Sequence, residues 1–422
     1  MTEFAPDELI VIRGRGRVSA LGLQPLPADA SVSPFTTHAT GLPVAALPPA
    51  AEATLAELRR TQPAYRQLDR TVLLALLAAR QAAAAAGWQR SEVVSGEQKH
   101  DPLLTISPFH HFTTSPLAVS IGSSRGATGR TEEFHAGFLA DGVVPAGASP
   151  LTTLGNVASW VAYDAGSAGG AALSHSSTCS SAFQALGNAT AWLRAGMAER
   201  FLAGGTEAPL TDFTLAQMRA IGIYSPFAAE DFPCRPGAGK PSTFVLGEGA
   251  AVFALEKVGR QQLAAEAGSA PVFVLESVGF GFEAIGSKTG LSPEGQHFQQ
   301  AIRQALAQAR LTPAAVDAVV LHSPGTPAGD AAERAALRAV FGESLPPLLS
   351  NKWLIGHTLG ASAALSLDFA LHILETQQWP AAPFATDIAS AAPKPIRRIL
   401  VNAAGFGGNA ACALVSVLDA GR

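Results

Sequence analysis

Short apolar runs alternate with helix-period stretches along this chain, and the second half orders its elements much as the first does. Residues 9–12, 116–122, 171–173 and 201–207 have the length and apolar content of buried strands. Between them, the leucines at 55, 58, 68, 73, 76 and 77, with Val72, recur at spacings of three and four, which predicts one buried helical face. Pro63 breaks that pattern into two helices, and Gly87 is the expected stop of the second. In the second half, strands are expected at 271–275, 316–321, 348–350, 398–402 and 411–417. Helices are expected at 294–309, 330–341 and 357–374. No letter-by-letter repeat accompanies this order. Strands alternating with helices predict an α/β fold whose central sheets are covered by helices.

A chain of 422 residues can supply the core such layers need, as one large domain or two ordinary ones. With 48% apolar and only 15% charged residues, part of the surface is expected to be covered by another subunit. The net charge of -4 leaves no basic face for nucleic acid. Cys179, Cys234 and Cys412 are odd in number and widely spaced, which argues against a disulfide scaffold or zinc ribbon and for a reducing compartment. The acidic N-terminus lacks the positive start of a signal peptide. Residues 72–79 are the most membrane-like, but Arg80 and Gln81 interrupt them well short of a span. The expectation is a soluble, cytoplasmic protein.

Several local patterns have competing readings. Gly14, Gly16 and Ser19 follow the first strand as G-x-G-x-x-S, yet the third glycine and the helix of a dinucleotide site are missing, and Pro25 and Pro27 follow. Arg13, Arg15 and Arg17 alternate and therefore share a strand face, with solvated charge as the default. Residues 24–51 read as a surface loop. The small residues of 122–129 allow close approach to a ligand or another chain, without the Lys-Ser/Thr of a phosphate loop. Residues 244–255 read as two strands around a Gly247-Glu248-Gly249 turn.

The chemistry centres on Ser174-His175-Ser176-Ser177-Thr178-Cys179-Ser180-Ser181-Ala182, which an apolar run enters and a helix-like run leaves. A cysteine at such a junction sits beside unsatisfied helix N–H groups and the positive dipole end, which favours the nucleophilic thiolate. Taken alone, a cysteine more often packs as a small hydrophobe. Three further loops carry candidate side chains: His322 through Asp330, Lys352 through His357, and the glycine-rich Gly405-Phe406-Gly407-Gly408. Each has a structural reading of its own: a satisfied histidine, a solvated lysine, a simple turn.

Together these four stretches resemble the four signatures of β-ketoacyl-ACP synthases, in order and in spacing: Ser177-Thr178-Cys179-Ser180-Ser181; His322 with Gly325-Thr326-Pro327 and Asp330; Lys352 with Gly356-His357; and Gly405-Phe406-Gly407-Gly408. Ala203 through Ala208 and Phe244 through Gly249 add to the likeness, which covers essentially the whole chain. The resemblance implies a thiolase-like fold, a five-layered αβαβα unit of two similar halves, here 1–260 with the nucleophile and 261–422 with both histidines and the glycine-rich loop. It implies a decarboxylative Claisen condensation. Cys179 would carry the acyl group, and His322 and His357 would promote decarboxylation of a malonyl thioester. Lys352 would set the local electrostatics, with Glu333 as its partner and Asp330 in the same network. The N–H groups of Cys179 and Phe406 would form the oxyanion hole, and Thr326, Arg125, Gly405, Gly407 and Gly408 would line the substrate path. No metal or redox cofactor is implied. The implied partners are an acyl carrier protein with its acyl and malonyl thioesters, and a second subunit, identical or related.

The chain departs from the family pattern at Pro324, where a threonine is usual, and at Ser366, where a glutamate is usual. Lys240 through Thr243 lack the usual Arg-Asp pair. Arg125 replaces an aliphatic residue at the mouth of the acyl pocket. Either it turns towards a subunit interface or the pocket takes something other than a long saturated chain; condensing enzymes that extend an aromatic starter in aryl polyene or flexirubin-type pigment pathways are the reading it motivates. The rival readings are a non-catalytic chain-length partner, which would lack the nucleophile, and a thiolase-fold acyltransferase, which would use a second cysteine in the last loop. Arg59, Arg60, Arg397 and Arg398 are candidates for a basic patch facing the acidic carrier.

Overall fold

Two five-stranded arrays with one strand order meet edge to edge in the computed structural model, which describes residues 8–88, 116–154, 156–167, 169–266, 271–284, 286 and 292–418. After β1 (Glu8–Val18) come a short ribbon, β2 (Thr36–Thr37) and β3 (Pro43–Val44), and the helices α1 (Pro49–Arg60) and α2 (Arg70–Ala85). Then follow β4 (Leu117–Gly122), α3 (Thr128–Asp141), α4 (Ala148–Thr152), α5 (Asn156–Asp164), β5 (Ala172–His175) and α6 (Ser181–Arg194). β6 (Arg200–Glu207), α7 (Asp212–Ala220) and β7 (Gly249–Gly259) complete the first array. Past α8 (Arg260–Glu266), the second array comprises β8 (Val272–Phe282), β9 (Ala318–Val320), β10 (Leu348–Leu349), β11 (Arg398–Gly405) and β12 (Asn409–Leu418). Its helices are α9 (Gln296–Ala309), α10 (Pro327–Phe341), α11 (Lys352–Ile355) and α12 (Ser362–Thr376).

From the seam outward the arrays run β1-β7-β6-β4-β5 and β8-β12-β11-β9-β10, so each places its first, fifth, fourth, second and third strands in that order. The parallel pairs fall at the same places, β4 with β5 and β6, β9 with β10 and β11. The repeat invisible in the letters is thus present in the topology. Where separate central sheets were expected, the arrays form one ten-stranded sheet, because β1 and β8 pair antiparallel at Val11–Val274 and Ile12–Phe273.

α6 and α12 pack between the arrays, with Phe183 and Leu186 from one and Leu367 and Leu371 from the other in a core shared with Phe253 and Val401. α2 covers the outer face of the first array, and α9 with α10 that of the second. The result is the αβαβα stack. The membrane-like stretch lies inside α2, buried against the sheet, and no helix of the described residues is long and apolar enough to cross a membrane.

The G-x-G pattern on β1 has a packing cause. A Cβ on Gly14 would lie 2.3 Å from the Ala82 carbonyl oxygen, and one on Gly16 2.1 Å from that of Ala78, both on α2. β8 repeats the device: Cβ atoms on Gly279 and Gly281 would lie 2.2 Å and 2.0 Å from the carbonyls of Ala301 and His297 on α9.

Two expectations are overturned. Arg13, Arg15 and Arg17 are not solvated. Arg13 pairs with Glu256 at 2.6 Å and Glu266 at 2.7 Å, Arg15 with Glu375 at 2.5 Å, and Arg17 grips buried Asp368 of α12 with both arms. A carboxylate inside the central layer requires this compensation. Residues 244–255 are not a hairpin either. Only β7 is a full strand, because Val245 and Leu246 pair instead with the segment carrying His357. The His357 N–H donates to the Val245 carbonyl at 2.7 Å. Glu248 turns inward and accepts from Arg70 at 2.6 Å and the Leu47 N–H at 3.1 Å.

Candidate active site

Cys179 stands on the sharp turn between β5 and α6. Thr178 before it has φ 54°, a left-handed conformation that costs a non-glycine residue about 1 kcal/mol or more. The turn is braced by Ser181, whose N–H donates to the Thr178 carbonyl at 3.2 Å and whose hydroxyl accepts the Ser177 N–H at 3.0 Å. Gly405 closes over it, since a Cβ there would fall 2.9 Å from the Cys179 nitrogen. The Thr178 hydroxyl reaches the Phe406 carbonyl at 3.5 Å.

His322 follows β9 and is fixed from behind by Glu333 of α10. That buried carboxylate accepts the His322 N–H at 2.9 Å, the Ser323 N–H at 2.8 Å, the Ser323 hydroxyl at 2.7 Å and the Asn402 amide at 3.0 Å. Asp330 ties the same loop to residue 237 by accepting the N–H groups of Gly237 at 2.8 Å and Gly325 at 3.2 Å. Burial pushes the Asp330 carboxyl up to about 7.

The His357 ring meets that of His322 edge-on, with centroids 5.2 Å apart and planes at 86°. The Leu359 N–H donates to its Nδ1 at 3.1 Å. Nδ1 is therefore the acceptor, and the neutral ring carries its proton on Nε2. Burial, with the other histidine and Lys352 adding to it, holds His357 well below its usual range. Burial, then the Lys352 charge and His297, pull His322 down to about 3. Both imidazoles are neutral at physiological pH.

Lys352 is fully enclosed and feels the charge of its expected partner Glu333, which raises its pKa, without hydrogen-bonding to it. Its ammonium donates to the Ser366 hydroxyl at 2.8 Å and the Asn351 side-chain amide oxygen at 3.3 Å, while Glu333 is occupied by the 322–323 turn and Asn402. Burial lowers the Lys352 pKa to about 8.

The sulfur differs from the sequence expectation. Burial, reinforced by the Glu207 charge, pushes the Cys179 thiol up to about 12, and Lys352 only partly offsets this. α6 begins at Ser181, with Ser180 as its cap, so Cys179 lies outside the first turn and loses much of the dipole. The resting group is a thiol.

These groups share one cavity of about 420 Å³, which Cys179, His322, His357, Gly405 and Phe406 line together with Thr326 and Arg125. Met218, Ile221, Ile223, Phe244, Phe298 and Leu359 make most of the remainder apolar. Lys352, Asp330 and Glu333 stand behind the wall. Gly407 and Gly408 form the β11–β12 turn with positive φ and do not line the cavity. Arg398 begins β11, directly after Arg397 and at the opposite end from Gly405, and is paired with Glu276 at 2.9 Å. Among the described residues, no cluster of His, Cys, Asp and Glu could hold a metal ion.

Glu207 was not singled out by residue-level reasoning. It ends β6 fully buried and accepts four donors: the N–H groups of Ser124 at 2.6 Å, Arg125 at 3.1 Å and Gly360 at 2.9 Å, and the Ser123 hydroxyl at 2.9 Å. It thereby ties the glycine-rich loop after β4 to the turn before α12. Burial raises its carboxyl to about 7. A carboxylate ending an otherwise apolar strand was the available signal.

Residues 33–260 match the family model described as beta-ketoacyl synthase, N-terminal domain, and residues 272–384 match its C-terminal counterpart. The putative polyketide beta-ketoacyl synthase 1 of Streptomyces cyaneus is 31% identical over 333 residues, 73% of this chain and 77% of that protein. The tetracenomycin polyketide synthase ketoacyl synthase alpha subunit of Streptomyces glaucescens is 36% identical over 214 residues, and the match spans 49% of this chain and 48% of that one. A beta-ketoacyl synthase structure from Burkholderia phymatum STM815 superposes with a TM-score of 0.79 at 23% identity, covering 97% of this chain and all of the other. The ishigamide ketosynthase/chain length factor superposes at 0.77 with 20% identity, over 97% of this chain and 99% of that one. With both domain models matched and the thiolase-like architecture in place, the chain belongs to the β-ketoacyl synthase family.

Proposed function

We propose that this protein is a catalytic β-ketoacyl-ACP synthase, in which 1–260 supplies the nucleophile and 261–422 the two imidazoles. The observation that carries the reading is the cavity where Cys179 and two neutral histidines meet, one with its tautomer set by the Leu359 N–H. In acyl transfer the Cys179 sulfur attacks the thioester carbonyl of a carrier-bound acyl group, and the C–S bond to the carrier breaks. The proton lost by Cys179 balances on the departing carrier thiol. The Cys179 and Phe406 N–H groups stabilise the oxyanion.

In condensation a malonyl thioester loses its carboxylate as CO₂, and the electron pair left behind becomes an enolate. His357, protonated on Nε2, is a hydrogen-bond donor to that developing charge rather than a base, and His322 adds a second imidazole. The enolate carbon attacks the acyl thioester, the C–S bond breaks, and the departing Cys179 thiolate takes one proton from solvent, the proton that loss of CO₂ from the malonyl carboxylate consumes overall. Lys352 acts electrostatically, since its charge helps hold both histidines neutral. Loss of CO₂ drives the carbon–carbon bond, so the reading needs no cofactor.

Carrier-protein partnership and pairing with a second ketosynthase-like chain are supported by fold relatives described as a type II PKS acyl-carrier protein in complex with its ketosynthase and as a ketosynthase in complex with its chain length factor. The non-catalytic alternative is disfavoured by Cys179 and both histidines being present and assembled. Incubation with acyl-carrier protein should add one acyl mass to Cys179 and none to Cys179→Ala. His322→Ala and His357→Ala should acylate, yet release CO₂ from malonyl-carrier about 10²-fold more slowly. Absence of an adduct on the unmodified protein would favour the non-catalytic role. Aryl-enoyl and saturated donors in the same assay decide between pigment-type and fatty-acid-type substrates.

A further inference from the structure

We infer that Arg125 is a specificity-determining residue which receives an acyl group carrying a carboxylate at its far end. This inference rests on the condensing-enzyme reading above and adds the substrate class. Among the described residues lining the cavity, Arg125 is the only lysine or arginine, set in a wall otherwise dominated by Met218, Ile221 and Ile223. No carboxylate of the described residues pairs with its guanidinium, which is half-buried and bonded to the Gln217 side chain of α7.

Gln217 holds one arm of the guanidinium from outside the cavity lining. Arg125 keeps its remaining guanidinium N–H groups as donors with no acceptor among them, a surface that calls for an oxygen anion rather than a methyl terminus. Its backbone is also anchored, because Glu207 accepts the Arg125 N–H at 3.1 Å and so fixes where this cation enters the wall. A guanidinium matches a carboxylate in charge and in bidentate geometry. An alkyl end against it would leave the cation facing apolar atoms with no charge to balance it.

The test uses intact protein and carrier-bound acyl donors of equal carbon count, one ending in methyl, one in carboxylate and one in a neutral aromatic ring. Rates of adduct formation on Cys179 are read by mass. The carboxylate-ended donor is expected to load about tenfold or more faster than the methyl-ended one, the size of one charge-assisted hydrogen bond. Arg125→Leu should reverse that order, raising the methyl-ended rate while the carboxylate-ended rate falls. Arg125→Lys, which keeps charge but not the fork, should retain part of the preference. Equal loading by the unmodified protein, or fastest loading of the methyl- or aryl-ended donor, overturns the inference while leaving the condensing-enzyme reading intact. No loading of any donor overturns both. The ratio measured on the unmodified protein decides the matter even where a variant fails to fold.

Discussion

At Cys179 burial and the local charges together set the protonation of the sulfur. Desolvation is the largest influence and Glu207 the next, and both favour the thiol. Glu207→Gln removes the negative charge while keeping one acceptor oxygen for the surrounding N–H groups. The alkylation rate of Cys179 by iodoacetamide, followed by peptide mass against pH, should then turn upward at lower pH than in the unmodified protein. The difference should appear only above about 7, where Glu207 itself is ionised. An unmoved profile would mean that burial alone sets the thiol. Cys179, His322 and His357 were legible as letters because their spacing matches a known pattern. The thiol's protonation state was not, since it depends on Glu207 and on where α6 begins, neither of which is local to residue 179.

Among the elements, β1 shows how a pattern in the letters acquires its meaning from a neighbour. Its glycines admit α2 and its Arg15 and Arg17 reach α12, two contacts that join residues far apart in sequence. Asp368 on α12 is 3% exposed and receives both Arg17 arms, with Arg15 at 3.7 Å. Asp368→Asn leaves two guanidinium groups facing a neutral amide, and should cost about 3 kcal/mol, read as a lower midpoint in chemical denaturation. A variant as stable as the parent would show the cluster to be replaceable. The same dependence on distant partners explains why residues 244–255 read as a hairpin. Alternation of apolar residues indicates extended chain, but the strand's partner here is the His357 segment rather than its own continuation.

For the whole molecule, alternating strands and helices were enough to indicate a layered α/β fold, and the boundaries of α2, α9 and α10 follow the periodicity closely. The seam between β1 and β8 was not legible, because two residue pairs leave no compositional trace. Global stability should carry the signature of the buried acids that hold the loops. Glu207 and Asp330 have folded pKa values raised to about 7 by burial, above the ordinary 4.5 and 3.8. For a raised acid the folded state binds protons more readily than the unfolded chain, so its contribution is complete below the ordinary pKa and is lost as pH rises through the folded one. The melting temperature of the parent, relative to a Glu207→Gln/Asp330→Asn double variant, should therefore fall between about pH 4 and pH 7 and then level off. A flat difference would contradict the protonation states assigned here. Finally, bare hydrogen at positions 14, 16, 279 and 281 brings the outer helices down onto the peptide planes beneath, meshing them like a key in a lock. Such layers cannot glide along the strands without collision.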